Sequence, residues 1–151
     1  MRLISHRGNT SGPNPSRENH PDYLSEATNR GFEVEVDVWN IDKKWYLGHD
    51  NPAYEVDESF FSDDMYLHCK NISAVERLSI TKLNWFWHES DKVALTSHGV
   101  LWCFPGVYLN NGIVVLSGAP TFDLVSRLPP FIGGVCTDYP LLLENIIKEA
   151  K

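Results

Sequence analysis

Cysteine is scarce in this chain, and its three copies, Cys69, Cys103 and Cys136, stand far apart. An odd number at such spacing excludes a disulfide framework and any paired-cysteine metal motif. Each lies in an apolar run, the usual setting of a buried thiol in a reducing compartment. Long hydrophobic runs are lacking too, and none approaches the roughly 20 residues of a membrane span. Positive charge is in deficit: 13 Lys and Arg stand against 20 Asp and Glu, for a net charge of −7. That balance argues against a general nucleic-acid binder, whose surface is normally basic. There is no repeat, no charged tail, and no basic amphipathic helix of the kind that lies on membranes. The opening Met-Arg-Leu-Ile-Ser-His enters a strand-like run at once, with no room for a signal peptide. The expectation is a cytoplasmic protein with a small-molecule partner, no nucleic acid and no membrane insertion.

What is present fits one domain over residues 1–151, large enough for a single core. Short runs rich in Val, Ile, Trp, Tyr and Phe, bounded by Gly, Asn, Asp or Pro, predict strands at 2–6, 32–38, 45–49, 65–70, 84–88, 93–97, 100–104, 113–117 and 134–138. Helices are predicted at 21–30, with Pro21 in the first turn and Gly31 closing it, at 72–81 after Asn71 as N-cap, and at 140–150 from Pro140. Strand and helix alternate at both ends of the chain, which predicts an α/β fold with parallel pairing. Segment 84–118 leaves hardly any space for helices. Eight parallel strands fully wrapped by helices take about 250 residues. A TIM-type (β/α)8 barrel in this chain would therefore be a compact, trimmed one, with several crossover helices shortened or missing. The polar Gly/Pro/Ser stretch Asn9 to Arg17 reads as a loop covering a site.

Four pieces carry chemistry. In Phe32-Glu-Val-Glu-Val-Asp-Val38 a period of two puts Val34, Val36 and Val38 on one face and Glu33, Glu35 and Asp37 on the other. Stacked carboxylates repel unless a cation or basic side chains compensate them, the alternative being a half-solvated edge strand. His6 and Arg7 end the first strand before Gly8. Arg offers a fixed fork of donors to phosphate oxygens, and His works as acid or base near neutrality. His49-Asp50 ends the next run and supplies a second imidazole, with Asp50 available to orient it or to form a turn. Lys70 shares a face with Tyr66 and His68 and suits a phosphate or a carboxylate cluster. Farther along, Trp87 could line a substrate pocket, and His88 and Asp91 could reach it from a strand end. His20 and His98 read as surface or turn residues.

Taken together, His6-Arg7-Gly8, Glu18-Asn19, Gly31 with Glu35-Val-Asp37-Val38, His49-Asp50, Lys70 and Thr137-Asp138-Tyr139-Pro140 resemble the glycerophosphodiester phosphodiesterase family, within the PI-phospholipase-C-like phosphodiesterases. The match is dense over 4–50, returns at 65–70 and 134–140, and is poor over 84–118. The resemblance implies a barrel fold, His6 and His49 as the acid/base pair, and Arg7 and Lys70 on the phosphate. It implies a divalent cation, magnesium or calcium, on Glu35 and Asp37, with Glu18 and Asn19 supporting metal and phosphate. The chain departs from the family twice. His68 stands where a third acidic ligand is usual, which softens the site towards manganese or zinc, leaves His68 to bond a metal-bound water, or marks a site that has lost its metal. The loops and insert that select the leaving alcohol are reduced. The leading expectation is a metal-dependent phosphodiesterase acting on a small soluble glycerophosphodiester-like substrate. A non-catalytic barrel that only binds phosphate esters, and a metal-independent lyase using Arg7 and Lys70 in place of the cation, are the other two readings.

Overall fold

The computed structural model describes residues 1–150. Lys151, the last residue of the expected domain, lies outside the described residues. The order is β1 (Arg2–His6), α1 (Pro21–Asn29), β2 (Glu33–Ile41), β3 (Lys44–Leu47), β4 (Tyr54–Val56), a 3₁₀ turn (Glu58–Phe60), β5 (Met65–Cys69), α2 (Ile72–Leu78), β6 (Trp85–Trp87), β7 (Val93–Leu95), β8 (Leu101–Cys103), β9 (Ile113–Leu116), α3 (Phe122–Ser126), β10 (Gly134–Thr137) and α4 (Pro140–Glu149). This is a mixed α/β chain with one ten-stranded, mostly parallel sheet and few helices.

The parallel part runs β6-β5-β2-β1-β10-β9-β8. β3 pairs antiparallel with the far end of β2, where β1 has already stopped at His6, and β4 pairs with β3. β7 turns back antiparallel on β8. No ladder joins β6 to β7, so the sheet is not closed. The two edges are hydrogen-bonded beyond β7, where the Ser97 N–H donates to the Trp85 carbonyl at 2.8 Å.

Each face of the sheet carries an apolar cluster, and the inner face also carries the charged residues of β2 and β5. The valine face of β2 packs with Leu24, Ala27, Ala74 and Leu78 of α1 and α2, and all three valines are fully buried. Val114 and Val135 meet Leu143 of α4 in the same way. The opposite face gathers Ile4, Tyr66, Phe86, Ala94, Trp102, Ile113 and Cys136, each from a different strand, into one cluster. Tyr66 and Phe86 touch Trp102 across it, with ring centroids 5.3 and 4.7 Å apart, so the sheet curls until its two halves face each other.

Local chemistry sets the helix ends. His20 caps α1 by accepting the Asp22 N–H, and Asn71 caps α2 by accepting that of Ala74. α2 stops at Leu78, short of the expected 81, because the Ser79 and Thr81 hydroxyls bond back to the carbonyls of Glu76 and Leu78. β4 and α3 are not among the expected elements, and the strands after residue 84 are shorter than expected. The three cysteines are free and buried as expected. Among the described residues no helix is long and apolar enough to cross a membrane.

Candidate active site

A cavity of about 500 Å³ opens at the C-terminal ends of the parallel strands. His6 from β1, Glu35 from β2, His68 from β5 and Lys70 just after it, Trp87 from β6 and His88 just after it, Phe104 after β8 and Asp138 after β10 all line it. Parallel pairing is the reason: it aligns the strand ends, and residues scattered along the chain meet there.

The turn after β1 is unusual. Arg7 has φ +54 and Asn19 has φ +61, conformations that side-chain-bearing residues seldom adopt. Each is held by the backbone, the Arg7 N–H on the Glu35 carbonyl at 3.0 Å and the Asn19 N–H on the Arg7 carbonyl at 3.1 Å. Gly8 follows at φ +89, and a Cβ there would sit 2.9 Å from the Tyr23 ring.

His6 donates from Nδ1 to Asp138 Oδ1 at 2.8 Å, which turns Nε2 towards Glu35 Oε2, 3.8 Å away. Burial opposes a charged His6 ring, but the bond to Asp138 and the charge of Glu35 outweigh it and raise its pKa. Asp138 is itself fixed by Asn9 Nδ2 at 2.9 Å, and burial of its carboxyl is outweighed by His6 and Asn9, which lower its pKa. Asn9 is fully buried and also bonds Glu18 Oε1, the Tyr23 hydroxyl and the Asn14 N–H. The expected covering loop is therefore pinned to the floor of the site through Asn9.

Asp37 is the most enclosed charge, with no exposed surface. Its Oδ2 takes Asn19 Nδ2 at 2.9 Å and lies 3.0 Å from Arg7 Nε, while Lys70 Nζ lies 3.6 Å from Oδ1. Burial works against this carboxylate, yet His68, Arg7 and Lys70 hold its pKa well below the usual range. His68 Nδ1 stands 3.1 Å from Asp37 Oδ1 and 3.5 Å from Glu35 Oε1. Burial disfavours a charged His68 too, but the two carboxylates lift its pKa to about 9.

One ligand atom from each of Glu35, Asp37 and His68 falls within a 4.8 Å group. Glu18 is not part of it. Its oxygens lie against Arg7 Nη1 and Asn9, on the far side of the guanidinium. Asn19 is also placed differently from expectation: both ends of its amide are engaged by Asp37, one by the carboxylate and one by the Asp37 N–H. It positions Asp37 and leaves no amide group for a phosphate. Trp87 and Lys70 line the cavity, whereas Asp91 is exposed and outside it. His20 caps a helix and His98 bonds Lys82 at the surface.

His49 sits on the rim of the same cavity, 41% exposed, with Nδ1 on Asp50 Oδ1 at 2.7 Å. Its place depends on Gly48, at φ +147, whose N–H bonds the Asp37 carbonyl and where an added Cβ would fall on the Asn51 carbonyl oxygen. Gly48→Ala is expected to destabilise the protein by about 1–3 kcal/mol and to displace His49. Thermal melting and the chemical shifts of the His49 ring measure the two effects. An unshifted ring would show that the rim does not depend on this turn.

Four carboxylates, Glu18, Glu35, Asp37 and Asp138, share this cluster with two permanent cations, Arg7 and Lys70. Neutrality needs two more positive charges, which one divalent cation supplies, or two protons on His6 and His68. Glu35 Oε2 and Asp37 Oδ1 are buried without a hydrogen-bond donor, so the donor set fits a cation. The cysteines are no part of the chemistry: burial pushes the Cys69 thiol up to about 12 and that of Cys136 well above its ordinary value, which keeps them protonated.

No family model, curated protein or solved structure matches the chain.

The residues that sequence reasoning left without a role are Asn9 and Asp138. Asp138 carried a signal, since it follows a strand end as His6, Lys70 and His88 do. Asn9 carried only its place two residues beyond Arg7. His88 lines the cavity with both ring nitrogens shielded and unpartnered, and burial together with His68 lowers its pKa.

Proposed function

We propose that this protein is a metal-dependent phosphodiesterase of the glycerophosphodiester type, acting on a small diester in a cytoplasmic setting, on a trimmed TIM-type (β/α)8 barrel. The observation that carries the reading is the His6–Asp138 pair at the mouth of a cavity that also holds His49, Arg7, Lys70 and the Glu35/Asp37/His68 group. The barrel is supported by the apolar cluster drawn from seven strands, by the Ser97–Trp85 bond between the free edges, and by a cavity at the C-terminal strand ends.

In this reading Arg7 and Lys70 draw the phosphate into the cavity. Arg7 commits Nε and Nη1 to Asp37 and Glu18 and offers Nη2 to the diester. One imidazole of His6 and His49 takes a proton from the attacking water or hydroxyl, and the other gives one to the leaving oxygen. Asp138 and Asp50 each bind Nδ1 of their histidine, leaving Nε2 for the substrate. Glu35, Asp37 and His68 would hold a divalent cation, which polarises the phosphoryl group and offsets developing charge. Trp87 faces the alcohol portion of the substrate.

The test is hydrolysis of bis(p-nitrophenyl) phosphate and of glycerophosphodiesters. Activity is expected to disappear in EDTA and to return with Mg²⁺, Ca²⁺, Mn²⁺ or Zn²⁺. A folded protein that binds the diester and cleaves nothing with any of these ions would establish the alternative, a non-catalytic phosphate-ester binder. His68 is the observation on that side, because its raised pKa lets a proton stand where the cation would be.

A further inference from the structure

We propose that the ion selected by the Glu35/Asp37/His68 group is a borderline transition metal of the manganese, cobalt and zinc class, and not magnesium or calcium. The inference rests on the metal dependence proposed above and does not need diester cleavage.

The argument starts at the far nitrogen of His68. Nε2 lies 2.9 Å from the backbone carbonyl of His88. A carbonyl only accepts, so Nε2 keeps a proton, and an ion that displaces the second proton from Nδ1 meets a lone pair there. Metal-binding histidines are commonly oriented in this way, with one nitrogen donating to a carbonyl and the other bonding the ion. The ring has little freedom to leave: it stacks on Phe86 with centroids 4.8 Å apart and planes 6° from parallel. Phe86 is itself buried in the inner core.

Nδ1 is therefore held facing the carboxylates, 3.1 Å from Asp37 Oδ1 and 3.5 Å from Glu35 Oε1. Neither contact has hydrogen-bond geometry, and Asp37 Oδ1, with His68 Nδ1 and Lys70 Nζ as its nearest cationic neighbours, is left without a hydrogen bond. Neighbouring donors around one small ion stand about 3 Å apart, so the spacing suits shared coordination. Glu35 and Asp37 are 2% and 0% exposed, which leaves water little access to complete their hydrogen bonding.

Donor type then decides the ion. Magnesium and calcium favour all-oxygen sites of high negative charge. An imidazole in place of a carboxylate removes one negative charge and introduces a softer donor. Both changes favour manganese, cobalt and zinc, with affinity rising along that series towards the later metals.

Calorimetric titration of the full chain with Zn²⁺, Mn²⁺, Mg²⁺ and Ca²⁺, and the visible absorption of a Co²⁺ complex, test this directly. One Zn²⁺ or Mn²⁺ is expected per chain, bound about tenfold or more tightly than Mg²⁺ or Ca²⁺. His68→Asp should lose the Co²⁺ bands, weaken Zn²⁺ by about tenfold or more, and strengthen Mg²⁺. Should that variant fail to fold, the wild-type selectivity still decides the matter, and Glu35→Gln probes the same group at an oxygen. Equal or tighter Mg²⁺ or Ca²⁺ binding would overturn the proposal, as would a folded wild type that binds no ion, or Zn²⁺ binding that His68→Asp leaves unchanged. Titration reads ion binding without turnover. A selective binder with no diesterase activity sinks the proposed function alone, and a diesterase that prefers Mg²⁺ sinks this inference alone.

Discussion

His6→Ala is expected to lower kcat for diester hydrolysis by about 10²- to 10⁴-fold, the usual contribution of a positioned acid or base. The fold should survive the change. His6 ends a strand with its side chain 27% exposed, and Asp138 keeps its bond from Asn9 when the imidazole is gone. The stability cost is therefore that of one hydrogen bond, about 1 kcal/mol. Stopped assays at saturating substrate, beside a thermal melt, separate chemistry from folding. A variant that melts like wild type and turns over within about threefold of it would remove His6 from the proton transfers.

The largest effect on stability is expected at Asp37. It has no exposed surface, and Arg7, Lys70, His68 and Asn19 converge on its two oxygens. Asp37→Ala leaves those cations facing one another and leaves the Asn19 amide without its acceptor. Removing one partner from a buried ionic group costs about 3–5 kcal/mol, because an uncompensated charge remains. The exposed Arg17–Glu26 pair, 41% and 50% exposed, serves as the internal comparison. Its loss should cost no more than about 1 kcal/mol. Urea titrations with unchanged slopes give both values. A drop below about 1 kcal/mol for Asp37→Ala would mean that water reaches the cluster and screens it.

How far the sequence carries can be judged from β2 and Asp138. The alternation of β2 is legible because a period of two forces side chains to opposite faces, and both faces have distinct chemistry. His6, Arg7 and Lys70 are legible because parallel strands deliver their ends to one place, and His49 because the antiparallel β3 carries the chain back to the same end of β2. The reading loses detail where contacts are long-range. Asn9 reaches Asp138 across 129 positions, and nothing near either residue records the meeting. Glu18 and Asn19 have the right chemistry, yet which face of Arg7 each occupies is set by two residues in the left-handed backbone region. β6, β7 and β8 are each three residues long, too short for a periodicity, and α3 has only five residues. Those elements owe their form to tertiary packing around Trp102 and Phe86 more than to local preference.

The His6–Asp138 bond joins positions 132 apart in sequence. Its acidic half arrives with β10, a late strand that must insert between β1 and β9, two strands synthesised earlier. Closing so long a loop is slow compared with forming the local α1 and α2 units. During synthesis, then, His6, Arg7, Glu35 and Asp37 are all made within the first fifty residues, long before the carboxylate that orients the imidazole. In the proposed mechanism His6 gains its orienting carboxylate only when the last strand docks, so the onset of diester hydrolysis during refolding is expected to report completion of the sheet.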